Sequence, residues 1–174
     1  MKIAIVLNTS WNIFNFRRGL IRSLQKQNHE VIVIAPRDEY TSRLIDMGCN
    51  YLPVRMDSRG INPVKDIALF LELLWIYAKV SPDLILHYTV KPNIFGSISA
   101  GLLGIPNIAN VCGLGTLFLN PGLFSKIGIL LYKLAFRFPA KVLFQNGEDK
   151  NLFVHNKSNR FLFSLYEIYR ICFK

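Results

Sequence analysis

Short β-branched runs alternate along this chain with longer stretches whose apolar residues recur every three to four positions. That alternation predicts a parallel α/β sheet. Residues 2–7 read as the first strand. Residues 16–27 read as an amphipathic helix, with Phe16, Leu20, Ile21 and Leu24 on one face and Arg18, Arg22 and Lys26 on the other. Asn28 and His29 end it, and Glu30–Ala35 is the second strand, closed by Pro36. Residues 39–47 form a short helix stopped at Gly48, residues 51–54 a shorter third strand, and residues 55–60 a polar loop. Asn62 followed by Pro63 is a helix start. The helix that follows, to about Val80, is apolar nearly all round, which predicts burial or packing on something greasy. Ser81, Pro82 and Asp83 interrupt the chain before a strand at Leu84–Tyr88. The helix over residues 92–103 carries Gly96, Ser97, Ser99, Ala100 and Gly101, small enough to approach the sheet closely. A strand at Asn107–Val111, a loop over residues 112–116, a helix over residues 123–138 stopped by Pro139 and a sixth strand at Lys141–Phe144 complete the alternation. Another helix starts at Glu148. The expectation is a single α/β domain over residues 1–157, a parallel sheet with helices on both faces. Residues 158–174 break the rhythm and read as an atypical aromatic, basic tail.

The chain has 174 residues, enough for one full core. Lys and Arg number 21 against 11 Asp and Glu, a net charge of +10 that favours polyanions. Nucleic acid, an anionic membrane face and phosphorylated substrates all fit that charge. No nucleic-acid-binding motif is present, which sets nucleic acid last. Cys49, Cys112 and Cys172 have no CxxC spacing and read as reduced thiols of a cytoplasmic protein, with no metal site implied. The apolar run at the amino terminus is too short for a signal peptide. The greasiest stretches, residues 67–80 and 123–138, contain charges and fall short of the ~20 residues a bilayer span requires.

Ligands of an open parallel sheet bind beyond the carboxyl ends of its strands. Loops over residues 8–15, 55–60, 88–93 and 112–116 fall at that edge. The first has no glycine, so the G-x-G-x-x-G fingerprint of dinucleotide binding is missing, and no P-loop occurs. No cofactor is expected. Gly113 and Gly115 would let backbone N–H groups approach a phosphate or sugar, or simply form a tight turn. Lys91, just before a helix start at Pro92, suits an anion, or is a solvated lysine at a turn. His87, at a strand end, suits a base or a hydroxyl partner, or a structural role. Arg17 opens the first helix toward the cleft, and Asp57 and Arg59 lie on the polar loop, where either can hold a sugar hydroxyl. Lys126, Lys133, Arg137 and Lys141, at offsets of seven, four and four, accompany Phe124, Ile127, Leu130, Leu131 and Phe138. Such a helix lies on an anionic membrane surface, or is a core helix with a basic edge.

Three stretches carry a family resemblance. They are Asn15 to Ile21 followed by His29, Glu30 and Val31; His87 to Gly96; and Asn110 to Phe118. Over roughly residues 1–157 the chain resembles the N-terminal domain of family-4 retaining glycosyltransferases of bacterial capsule, O-antigen and lipid-linked oligosaccharide synthesis. The resemblance implies one Rossmann-like half of a GT-B fold that binds the acceptor, often a polyprenyl-diphosphate sugar, peripherally on the cytoplasmic membrane. The residues expected to contact the acceptor are Arg17 and Lys91 at its phosphate, His87 and Asp57 at sugar hydroxyls, and Arg59, Gly113 and Gly115. The nucleotide-sugar donor belongs to a C-terminal domain with paired glutamates eight positions apart, and no two glutamates here have that spacing. The expectation is therefore a truncated product, inactive alone, or the acceptor subunit of a split enzyme whose donor domain is a separate chain. A related sugar-nucleotide isomerase and a non-enzymatic membrane-associated binding protein stand as further alternatives.

Overall fold

The computed structural model describes residues 1–57, 62–113 and 123–147. Six strands, β1 (Lys2–Val6), β2 (Glu30–Ala35), β3 (Asn50–Pro53), β4 (Leu84–Tyr88), β5 (Asn107–Val111) and β6 (Lys141–Phe144), form one sheet in the order β3-β2-β1-β4-β5-β6. Every pairing is parallel, so this is the Rossmann-like α/β sheet expected. The strand order reverses between β1 and β4, and ligand crevices of open sheets lie there.

Helices α1 (Ser10–Lys26) and α2 (Thr41–Asp46) cover one face; α3 (Pro63–Val80), α4 (Ser97–Leu102) and α5 (Leu123–Ala135) cover the other. Alternation along each strand dictates the partition. Ala4 and Val6 of β1 pack with Leu69, Leu73, Ile76 and Tyr77 of α3, whereas Ile5 packs with Ile13 and Ile21 of α1. Val111 and Val142 meet Tyr132 and Ala135 of α5. Each such aliphatic side chain, fully buried, contributes about 1.5–3 kcal/mol.

Helix α1 starts six residues before the expected position. Thr9 is extended and its hydroxyl accepts from Asn12 N–H at 3.1 Å, a normal N-cap that ends the supposed loop at once. Rotating the pattern back to Ser10 makes Ile13, Leu20, Ile21 and Leu24 the inward set, and Phe16 is left 57% exposed. The core position given to Phe16 is thereby corrected. Helix α3 starts where Asn62 and Pro63 put it, with the Asn62 side chain accepting from Val64 and Lys65 N–H. Its apolar surface divides in two. Leu69, Leu73, Ile76 and Tyr77 are buried, while Val64, Ile67, Leu71 and Trp75 stand outward along one face.

The small residues of the fourth helical segment admit specific partners. A π-helical turn, Pro92–Gly96, precedes α4. A β-carbon at Gly96 would lie 2.6 Å from His87 Nε2, and one at Gly101 would collide with the Phe138 ring. Gly19, inside α1, faces open space. Gly101→Ala is expected to lower stability by about 1–3 kcal/mol through overpacking against Phe138. Gly19→Ala should raise it by about 0.5–1 kcal/mol through helix propensity. Urea denaturation of the two variants checks the opposite signs.

Candidate functional site

The crevice between β1 and β4 is built from side chains that arrive from both faces. On the β1 side, the amino end of α1 is already served by an anion of the protein itself. Asp38, beyond β2, accepts from Trp11 N–H at 2.9 Å with one oxygen and from Tyr40 N–H at 2.9 Å with the other. The position at which Rossmann sheets usually seat a phosphate therefore holds a carboxylate.

Arg17, nearly two turns into α1, reaches across the strand ends. Its guanidinium lies over the Tyr88 ring, 4.4 Å from the centroid, and its Nη2 donates to Cys112 Sγ at 3.5 Å. Its Nη1 donates to the Phe16 carbonyl at 3.1 Å. Its Nε is buried with no hydrogen-bond partner. The Cys112 thiol is pushed up by burial, against the opposing pull of Arg17, so it stays protonated and supplies no counter-charge. Among the described residues no carboxylate pairs with Arg17.

Past β4 the backbone turns sharply. Thr89 has φ 64°, a left-handed conformation that costs a β-branched residue about 1–3 kcal/mol and recurs at ligand sites. Gly113, just beyond β5, has φ 122° with open space where a β-carbon would be, so the turn there requires glycine. Behind them Asn93 and Asn110 lace the strand ends together. Asn93 Nδ2 donates to the Asn110 carbonyl at 2.8 Å, and Asn110 Nδ2 to the His87 carbonyl at 3.2 Å. Asn93 is buried and its Oδ1 is unpartnered.

Several expected contacts are rearranged. His87 has no exposed surface; its ring lies 3.0 Å from the Tyr77 hydroxyl and 3.4 Å from the Ser97 hydroxyl. A histidine so enclosed braces α3 and α4 against β4 and does not reach a sugar, which corrects its assignment to acceptor hydroxyls. Lys91 is 2.8 Å from Asp66 of α3, with both side chains over four-fifths buried. Its charge is answered internally by that carboxylate. Asp57 is exposed and paired with Lys65 at 2.9 Å, and that hydrogen bond holds its carboxyl below the usual range. Its remaining lone pairs stay open to solvent. Arg59 and Gly115 lie outside the described residues.

The basic stripe is also broken up. Helix α5 ends at Ala135, so only Lys126 and Lys133 stand on it; Arg137 follows in a turn, and Lys141 opens the edge strand β6. All four are exposed, and Ile127, Leu130 and Leu134 are exposed beside them on α5. Together with Val64, Ile67, Leu71 and Trp75 of α3 and Leu102 and Leu103 at the end of α4, they make one helical layer carry nine of the thirteen large exposed hydrophobics among the described residues. Among those residues no helix is long and apolar enough to cross a membrane, and no cluster of three metal-ligating side chains occurs. Sequence reasoning flagged the greasiness of α3 but missed Asp38, Thr89, Asn93 and Asn110, whose roles depend on contacts between distant segments.

Comparison with known proteins agrees with this architecture. The profile of a family described as glycosyl transferase 4-like matches residues 2–146. The chain is 30% identical over 154 residues to the N,N'-diacetylbacillosaminyl-diphospho-undecaprenol alpha-1,3-N-acetylgalactosaminyltransferase of Campylobacter jejuni, covering 86% of this chain and 41% of that protein. A UDP-N-acetylglucosamine 2-epimerase structure superposes with a TM-score of 0.68 at 16% identity, over 96% of this chain and 47% of that one. Acinetobacter baumannii MurG gives 0.60 at 14% identity, over 95% and 44%. The Streptomyces sp. SF2575 glycosyltransferase SsfS6 gives 0.52 at 20%, over 82% and 48%. The chain thus spans less than half the length of each of these proteins.

Burial holds the His87 imidazole neutral and pushes its pKa down to about 3 from 6.5. Between those values the unfolded chain binds the extra proton and the folded one does not. The stability contributed by the neutral ring is therefore complete above pH 6.5 and lost as pH falls toward 3, at up to ~1.4 kcal/mol per pH unit. From pH 6.5 to pH 5 the wild-type chain should lose about 1.5 kcal/mol more than His87→Gln, read by urea denaturation at each pH.

Proposed function

This chain belongs to the glycosyl transferase 4-like family, and we propose that it forms the acceptor-binding side of an enzyme that moves a sugar from a nucleotide-sugar donor to a lipid-linked acceptor. The observation that carries this reading is Arg17: a half-buried cation at the strand-order reversal, with an unsatisfied buried Nε and no carboxylate partner among the described residues. A cation in that position is stabilised by a bound anion. The named Campylobacter relative acts on a sugar-diphospho-undecaprenol, whose diphosphate is such an anion.

In this reading Arg17 takes the acceptor phosphate, Gly113 lets backbone approach it, and Asp57 offers an oxygen to a sugar hydroxyl. The strained turn at Thr89 directly follows the Tyr88 ring on which Arg17 rests. Donor binding, and stabilisation of the leaving nucleoside diphosphate, fall to the part of the fold that the chain does not span, on this polypeptide or on a partner chain. The chemistry at this half is positioning: holding the attacking hydroxyl in line and excluding water.

The exposed layer of α3, α4 and α5, with Lys65, Lys79, Lys126, Lys133 and Arg137 on its helices and turns, suits contact with an anionic bilayer. That surface would keep the protein on the inner face of the cytoplasmic membrane, where a lipid-linked acceptor sits. Trp75 lies in the middle of it, with Lys79 Nζ 4.9 Å above its ring.

The acceptor reading is tested by calorimetric titration with a short-chain prenyl-diphosphate N-acetylhexosamine. Arg17→Gln should weaken binding by about 10- to 100-fold, the range for one charged hydrogen-bonding group. Lys91→Gln should lower stability and leave affinity within about threefold. Equal affinities for wild type and Arg17→Gln would remove the basis of the proposal. The pure 174-residue chain should hydrolyse or transfer no nucleotide sugar.

The membrane reading is tested separately. In a Trp11→Phe background Trp75 is the sole indole, and its emission should shift to the blue with vesicles containing anionic lipid and return as salt is raised. Leu71→Asp should abolish that shift, and no shift with any vesicle would exclude the layer from lipid contact.

A further inference from the structure

Three aromatic rings near the same edge of the sheet belong to neither core cluster nor membrane layer. Trp11 is 44% exposed and Phe16 57%. Their centroids are 5.5 Å apart at 75°, and Tyr40 meets Trp11 at 6.5 Å and 87°. Both contacts are edge-on, so neither lays a flat ring against the indole. The cluster is held rigidly from below. Asp38 bridges the N–H groups of Trp11 and Tyr40, Asn15 Nδ2 donates to the Trp11 carbonyl at 2.9 Å, and Arg43 covers Tyr40 at 4.7 Å.

Exposed rings gathered in one place mark a candidate binding surface. Its surroundings select the occupant. Asn8, Asn12 and Asn15 put three amides on the same short stretch as Trp11 and Phe16, a mixture that suits a ligand with alternating C–H faces and hydroxyl groups. An isoprenoid chain would favour the aliphatic layer of α3 to α5, which lies on the opposite face of the sheet. Arg17 follows Phe16 on α1 and donates to its backbone carbonyl, so the cation and the rings are carried by the same stretch of helix.

We infer that Trp11, Phe16 and Tyr40 form a stacking subsite for a pyranose ring whose phosphate is held by Arg17. This rests on the acceptor-side reading for the phosphate, while the exposed ring cluster is an independent observation. The subsite gives the acceptor sugar an orientation that the phosphate contact alone does not, because one ionic contact leaves the ring free to turn about the phosphate.

The test uses the Trp75→Phe chain, in which Trp11 is the sole indole. It is titrated with N-acetylglucosamine 1-phosphate, free N-acetylglucosamine, inorganic phosphate and a short prenyl diphosphate that carries no sugar. N-acetylglucosamine 1-phosphate should change Trp11 emission and bind about three- to tenfold tighter than inorganic phosphate, the gain expected of an aromatic contact. By calorimetry Trp11→Leu should lose that gain and keep phosphate affinity, and Trp11→Tyr should recover most of it. Because Trp11 is surface-exposed, retained phosphate binding also reports an intact fold. Equal affinities for sugar phosphate and phosphate, or a Trp11→Leu variant that keeps the gain, would overturn the subsite. So would a larger Trp11 response to sugar-free prenyl diphosphate. If instead the sugar responses hold and Arg17→Gln leaves phosphate binding unchanged, the subsite stands and the phosphate assignment to Arg17 fails.

Discussion

The imidazole of His87 is enclosed where four elements meet, and it fits there only as a neutral ring. Tyr77 of α3 and Ser97 of α4 approach its two nitrogens, Asn110 of β5 donates to its carbonyl, and Gly96 leaves the space its ring occupies. A side chain on Gly96 would collide with the ring, and a charged ring would be buried without a counter-ion. This knot fixes the end of β4 relative to α3, α4 and β5 at once. The left-handed turn at Thr89 begins two residues further on, so the strain of that turn is borne by a framework that cannot relax locally. Everything at the crevice, from the Tyr88 ring beneath Arg17 to the π-helical turn, inherits its position from that junction.

Charge balance explains why Arg17 stands out among the cations of the site. Lys91 is answered by Asp66 and Lys65 by Asp57, while Asp38 is consumed in capping α1. Ion pairs of this kind remove a cation from competition for an incoming anion, because binding would first have to break the internal contact. Arg17 has no such competitor among the described residues, and the aromatic face below it stabilises the guanidinium without neutralising it. The amino end of α1, with its amides already bonded to Asp38 and Thr9, does not offer the usual phosphate seat. The available positive potential is thereby moved from the mouth of β1 toward the ends of β4 and β5.

How much of this was legible along the chain depends on the range of the interaction involved. The strands Glu30–Ala35, Leu84–Tyr88, Asn107–Val111 and Lys141–Phe144 and the start of α3 were readable because β-branched runs and an Asn-Pro start are local signals. The start of α1 was misread because Phe16 looks like a core residue until the Thr9 cap shifts the helix register. Lys91 looked like an anion ligand because its partner, Asp66, is 25 positions away on another helix. His87 could not be separated from a catalytic histidine without Tyr77 and Ser97 beside it. The greasiness of α3 was visible, but its division into a buried row and an exposed row depends on how the helix is rotated on the sheet.

That division also assigns different work to the two faces of the sheet. Aliphatic side chains dominate the outer surface of the α3–α5 layer, and aromatic rings set among amides mark the start of α1 on the other face. A lipid-linked sugar has the same polarity sequence: hydrocarbon at one end, phosphate in the middle and hydroxyls at the other. In the proposed reading the apolar layer takes the hydrocarbon, Arg17 the phosphate and the Trp11 rings the sugar. Hydrophobic contact is indifferent to direction, so it can hold such a molecule at the surface without orienting it. In the proposed reading orientation comes from the cation and the rings, both carried on α1, so that reading depends on the start of the helix at Ser10.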